Sequence, residues 1–170
     1  MKPTSIFYLL LIALLSHTSF SQTTVDDPEI KKMVSEVKSE NMEATVRKLV
    51  SFGTRHTLSD TKSNTRGIGA AQRWVKSEFD KYALSSNGRL TSKIDFFTVK
   101  ADGKRIATDS QLGNVMATLK GTDSTDDRVL IISGHLDSRA SDVMDSKIDA
   151  PGANDDASGV AAMMELARIM

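Results

Sequence analysis

The chain has 170 residues, 39% of them hydrophobic, and its 22 lysines and arginines balance 22 aspartates and glutamates. A formal charge of zero leaves no basic footprint for nucleic acid and no patch for an anionic membrane surface, so neither is expected as a partner. Cysteine is absent, so stability has to come without disulfides.

Lys2 precedes an apolar run at residues 6–15 (IFYLLLIALL). Its length of about ten residues suits a signal-peptide core and falls short of the roughly 20 that a membrane span needs. Small residues around Ser19 and Ser21 predict cleavage after Ser21. Residues 1–21 are therefore expected to be a signal peptide and residues 22–170 the exported part, periplasmic or extracellular in a bacterium, with no stable membrane anchor after cleavage. Oligomeric state is not legible.

Asp27, Pro28 and Glu29 open a helix in the favoured way, an acid and a proline in the first turn. Met33, Val34 and Val37 share a face; after a break near residues 39–41, Met42, Val46, Leu49 and Val50 continue the helical spacing until Gly53 ends it. Arg55 and His56 follow and are read as structural or rim-forming residues. Asn64 or Thr65 is expected to cap a third helix with an apolar stripe of Ile68, Ala71, Val75, Phe79 and Tyr82. Asn87-Gly88 is a turn signal. Residues 89–100 read as a strand with Ile94 and Phe96 on one face and Phe97 and Val99 on the other, and residues 112–119 as a second.

Residues 129–132 (VLII) form a short branched apolar run, predicting a strand buried on both faces. His135 and Asp137 follow it. Two residues apart on an extended chain, they point to the same side, at the strand end where open α/β sheets hold ligands. Beyond an irregular loop, in which Asp142, Asp145 and Asp149 stand against Arg139 and Lys147 and which is best read as solvated, comes the turn P-G-A-N-D-D-A-S-G at residues 151–159. Val160, Met163, Met164 and Ala167 then recur with helical spacing, so a helix is expected near Ala157, capped by Asp156 or Ser158. A strand-end histidine beside ionised carboxylates suits a divalent metal. Imidazole favours zinc, because calcium and magnesium prefer oxygen ligands. Asp137 could accept the second ring N–H of His135, and Asp155 could reach two metals at once. Each motif alone is weak; the two in this order carry the argument.

These segments, H-L-D-S at 135–138 and A-P-G-A-N-D-D-A-S-G at 150–159, resemble the co-catalytic dizinc aminopeptidases of clan MH, which share a fold with glutamate carboxypeptidase and the transferrin receptor ectodomain. The resemblance is motif-grade over residues 129–165 and coarse from residue 41. It implies an α/β fold, a mixed β-sheet covered by helices as in zinc-dependent exopeptidases, of which this chain holds the amino-terminal part. Two zinc ions per complete domain are implied, with His135 ligating one, Asp155 bridging both and Asp137 orienting His135. A cis peptide often follows the bridging residue. The implied activity is that of an exported aminopeptidase acting on peptides or proteins. A glutamate base and the remaining ligands are expected downstream, so a chain ending at Met170 within a helix is expected to be truncated and inactive alone. A carboxypeptidase-like or glutaminyl-cyclase-like member and a non-catalytic binding homologue are the alternatives.

Overall fold

A computed structural model describes residues 27–170; the expected signal peptide lies outside them. The chain divides into two compact units, residues 1–32 and 33–170. Of the first, the described part begins helix α1 (Pro28–Ser35), where Glu29 N–H donates to Asp27 Oδ1 at 2.8 Å. Proline at this position sacrifices an N–H that has no helical partner in any case. No residue of α1 is buried.

The second unit continues with α2 (Ser39–Val50), α3 (Gly67–Ala83), strands β1 (Leu90–Val99) and β2 (Ser110–Leu119), a single π-type turn at Ala153–Ala157, and α4 (Ser158–Ile169). The expected stripe on α3 is buried at Ile68, Ala71, Val75 and Phe79, and it meets Leu49 and Phe52 from α2 and its end, with Ala157, Val160 and Met164 from the last helix. Burying apolar side chains of three helices against one another is the main stabilising term. The expected cap of α3 is different. Arg66 precedes the helix without a side-chain cap; instead Ser59 Oγ accepts Ile68 N–H at 2.9 Å, while the carbonyls of Phe52 and Asp60 accept Gly67 and Gly69 N–H at 3.2 Å each. A preceding loop folded back on the helix start does the work of Asn64 or Thr65, because the free N–H groups of a helix start donate to any nearby oxygen.

β1 and β2 form an antiparallel pair in which Leu90 faces Leu119, Ile94 faces Val115 and Val99 faces Ser110. Gly113, Val115, Ala117 and Leu119 are half-buried while Asn114, Met116 and Thr118 are exposed, the alternation of a strand with one covered face. Gln72 Nε2 on α3 donates to Gly113 O at 2.8 Å, fastening helix to sheet.

Residues 129–132 do not form the expected buried strand. They have no regular structure, and Val129, Leu130 and Ile131 are 81%, 89% and 85% exposed. The mixed sheet is likewise not formed among the described residues: the sheet has two antiparallel strands, and the parallel contact is an isolated bridge between Thr54 and Ala150. A strand buried on both faces requires neighbours for its N–H and C=O groups and a layer over each face. Among the described residues β1 and β2 pair only with each other, so the run meets water. The architecture remains mixed α/β.

Candidate metal centre

The two motifs meet at the start of α4. Leu136 packs against the helical core, and the alternation of an extended segment turns its neighbours His135 and Asp137 away from it. Gly134 permits the close approach: a Cβ there would stand 2.9 Å from Val160 N and 3.0 Å from Gly159 C, both backbone atoms at the helix start. In the second motif Gly152 adopts a left-handed conformation (φ +47°), and its carbonyl accepts Ala157 N–H at 3.1 Å. Asp155 and Asp156 depart from helical backbone angles, and the peptide between them is cis.

The two aspartates have different employment. Asp156 Oδ1 accepts Gly159 N–H at 3.1 Å and its Oδ2 accepts His135 N–H at 3.1 Å. It acts as the expected cap of α4 and also pins the first motif to that helix. Asp155 is 84% exposed, and its Oδ1 lies 2.9 Å from His135 Nε2. The other ring nitrogen, Nδ1, faces Asp137, 3.2 Å from its carbonyl oxygen and 3.3 Å from its Oδ1. Burial pulls the His135 imidazole down, but the Asp137 carbonyl and the charges of Asp137 and Asp156 outweigh it, so the pKa is raised.

The donor set suits zinc: one imidazole nitrogen and one carboxylate oxygen converge, and a carboxylate stands at the second ring nitrogen. Two atoms ligating one tetrahedral zinc stand about 3.4 Å apart, so Nε2 and Oδ1, at 2.9 Å, are slightly closer than a shared zinc would leave them, and a small swing of the exposed Asp155 side chain would supply the difference. Among the described residues no group of three or more His, Cys, Asp or Glu side chains could hold a metal. Two donors are therefore on hand, and the rest of a four-ligand shell must come from water or other groups.

The structural role expected of Arg55 extends through the loop at residues 54–57. Arg55 is 1% exposed. Its Nε donates to Leu136 O at 2.8 Å, Nη1 to Leu49 O at 3.0 Å and to Pro151 O at 2.7 Å, and Nη2 to Gly152 O at 3.0 Å. Burial lowers its pKa, against the charge of Asp137. Ser138 completes the joint: its Oγ accepts Arg55 N–H at 3.1 Å and donates to Ala150 O at 2.6 Å. Thr57 Oγ1 donates to Asp137 Oδ2 at 2.7 Å. His56 takes no part. Its Nδ1 accepts Leu58 N–H at 3.0 Å, so Nε2 carries the proton and donates to Val143 O at 3.1 Å. A lone arginine after F-G-T was the available signal, but its partners lie 81 to 97 residues away apart from Leu49.

Residues 114–170 match the model of peptidase family M28. The chain is 50% identical over 144 residues to a protein of the fungus Pyrenophora teres f. teres named "Probable zinc metalloprotease", a match covering 85% of this chain and 29% of that protein. A protein of the same name from Pyricularia oryzae is 50% identical over 143 residues, 84% of this chain and 28% of the relative. Another from Phaeosphaeria nodorum is 44% identical over 156 residues, 84% of this chain and 31% of the relative. No solved structure matches. The chain spans about a third of the length of these relatives. The residues that hold His135, Asp137 and Asp155 thus lie in the stretch similar to peptidase family M28, within a chain similar over most of its length to fungal proteins named as zinc metalloproteases.

Proposed function

We propose that this chain carries part of the metal centre of a zinc-dependent metallopeptidase, with His135 and Asp155 as ligands and Asp137 as the group that orients His135. The observation that carries the reading is the convergence of His135 Nε2 and Asp155 Oδ1 at 2.9 Å while Nδ1 is held by Asp137. The match to peptidase family M28 and the relatives' names support it. Zinc held there supplies Lewis acidity toward a peptide carbonyl and makes a water more acidic. Asp137 keeps the proton of His135 on Nδ1 and so presents Nε2 as a lone pair. Asp156 fixes the His135 main chain to α4, and Asp155 projects its carboxylate into the open face. Glu165, the glutamate of α4, is occupied by Lys38, Asn41 and Arg168 and is not available as a base.

The finer reading is an exported aminopeptidase with two zinc ions bridged by Asp155, acting on peptides or proteins. Its supports are the exposure of the Asp155 side chain and the signal-like residues 1–21. Zinc titration of this chain tests the metal assignment, and release of amino-terminal residues from aminoacyl substrates by a protein of the relatives' full length, of which this chain spans about a third, tests the activity. Loss of zinc binding in His135→Ala and Asp155→Ala supports the metal assignment; wild-type zinc affinity in either variant overturns it. In a protein of the relatives' full length that carries these residues, zinc binding without cleavage of aminoacyl substrates removes the aminopeptidase reading and leaves the metal site.

A further inference from the structure

One side chain bears on the metal pair without touching it. Thr57, half-buried, donates from Oγ1 to Asp137 Oδ2 at 2.7 Å. The other oxygen of that carboxylate faces His135 Nδ1 at 3.3 Å, and His135 Nε2 faces Asp155 Oδ1 at 2.9 Å. The four side chains form a line from Thr57 through Asp137 and His135 to Asp155. Asp137 is 44% exposed on its side chain, so packing alone does not lock its rotation, and a carboxylate free to turn offers Nδ1 a poorer acceptor. Thr57 is itself placed firmly. The loop that carries it is held by Arg55, whose guanidinium binds carbonyls of Leu136, Pro151 and Gly152, in both motif segments.

We propose that Thr57 is a positioning residue for the His135–Asp155 metal pair: its hydroxyl holds the Asp137 carboxylate so that Oδ1 keeps the proton on His135 Nδ1 and leaves Nε2 as the metal donor. The proposal rests on the metal reading above. A hydroxyl donating to an ionised carboxylate is a charge-assisted bond, shorter and stronger than a neutral one. Orienting partners of metal-ligating histidines matter by about 10 to 100-fold in metal affinity, and Thr57, one bond further out, is expected to matter by about 3 to 10-fold.

The test uses the full chain as wild type, Thr57→Val, Thr57→Ser and His135→Ala. Thr57→Val keeps the shape and removes the hydroxyl, whereas Thr57→Ser keeps the hydroxyl and removes the methyl. Two quantities are read: the dissociation constant for added Zn2+, and the fraction of the Nδ1–H tautomer from the nitrogen resonances of His135 without metal at alkaline pH, assigned by their loss in His135→Ala. Thermal unfolding establishes that each variant is folded at the temperature used.

Expected are a zinc affinity about 3 to 10-fold weaker and a smaller Nδ1–H fraction in Thr57→Val, with both restored in Thr57→Ser. Wild-type affinity and tautomer in Thr57→Val overturn the proposal. So does a Thr57→Ser variant that fails as Thr57→Val does, since the methyl would then be the group that matters. Wild-type zinc affinity in His135→Ala overturns the metal reading itself, and the tautomer measurement then still decides whether Thr57 governs His135 through Asp137.

Discussion

Replacing Glu165 by glutamine should remove a pH-dependent part of the stability of this fold. The Glu165 side chain is 4% exposed and accepts Arg168 Nε at 2.9 Å and Nη2 at 2.7 Å, Lys38 N–H at 2.8 Å and Asn41 Nδ2 at 3.1 Å. It joins α4, which positions Asp156, to the start of α2. The hydrogen bond from Arg168 leads the causes that hold its pKa down from 4.5 to about 2, against the opposing effect of burial. A depressed carboxyl pKa means that the stabilisation is fully present above pH about 4.5 and is lost as pH falls through about 2. The shift corresponds to about 3 kcal/mol, and on the order of 2–3 kcal/mol once the partial exposure of Arg168 is allowed for.

Urea unfolding of wild type and Glu165→Gln at a series of pH values reads this directly. The other carboxylates titrate in both proteins and cancel in the difference. At pH 7 the variant should be less stable by roughly 2–3 kcal/mol, about 5–10 °C in melting temperature for a chain of this size. The gap should narrow below pH about 4.5 and close near 2. A gap that stays constant across that window, or one under about 0.5 kcal/mol at pH 7, would refute the reasoning.

Three further outcomes are expected. Gly134→Ala should push the first motif off the start of α4, because the added Cβ would meet backbone at Val160 and Gly159; the check is zinc affinity, and a wild-type value would show that the segments need not be so close. Zinc affinity should rise with pH as His135 loses its proton and level off above its pKa, which is raised over that of an ordinary imidazole; metal titrations between pH about 5.5 and 8.5 read it, and an affinity independent of pH would remove His135 from the shell. Ile131→Lys should leave stability within about 0.5 kcal/mol, since Ile131 is 85% exposed, while reducing binding of a hydrophobic dye; a large loss of stability would mean that residues 129–132 are covered in solution.

Local signals placed the helices and the hairpin, except that the break between α1 and α2 falls at residues 36–38 and not at the expected 39–41, which are helical. Asp27, Pro28 and Glu29 announce α1, the spacing of Ile68, Ala71, Val75 and Phe79 matches the buried side of α3, and the alternation through Val115, Ala117 and Leu119 matches the covered face of β2. Periodicity carries this information because helix and strand fix which residues share a face. The convergence of His135, Asp137 and Asp155 was foreseeable as well, from H-L-D-S and N-D-D-A-S-G, and the metal proposal rests on it.

Tertiary structure decided the rest. Whether residues 129–132 lie in a sheet depends on strands beside them, and an apolar run cannot specify its own neighbours. Which oxygen caps α3 depended on where Ser59 and Asp60 folded back. The division of labour between Asp155 and Asp156, and the joining of the two motif segments through Arg55 and Thr57, arise from contacts between residues that are mostly far apart in the chain. Sequence periodicity reports the face a side chain occupies; it holds no record of the distant carbonyl or carboxylate that the face will meet.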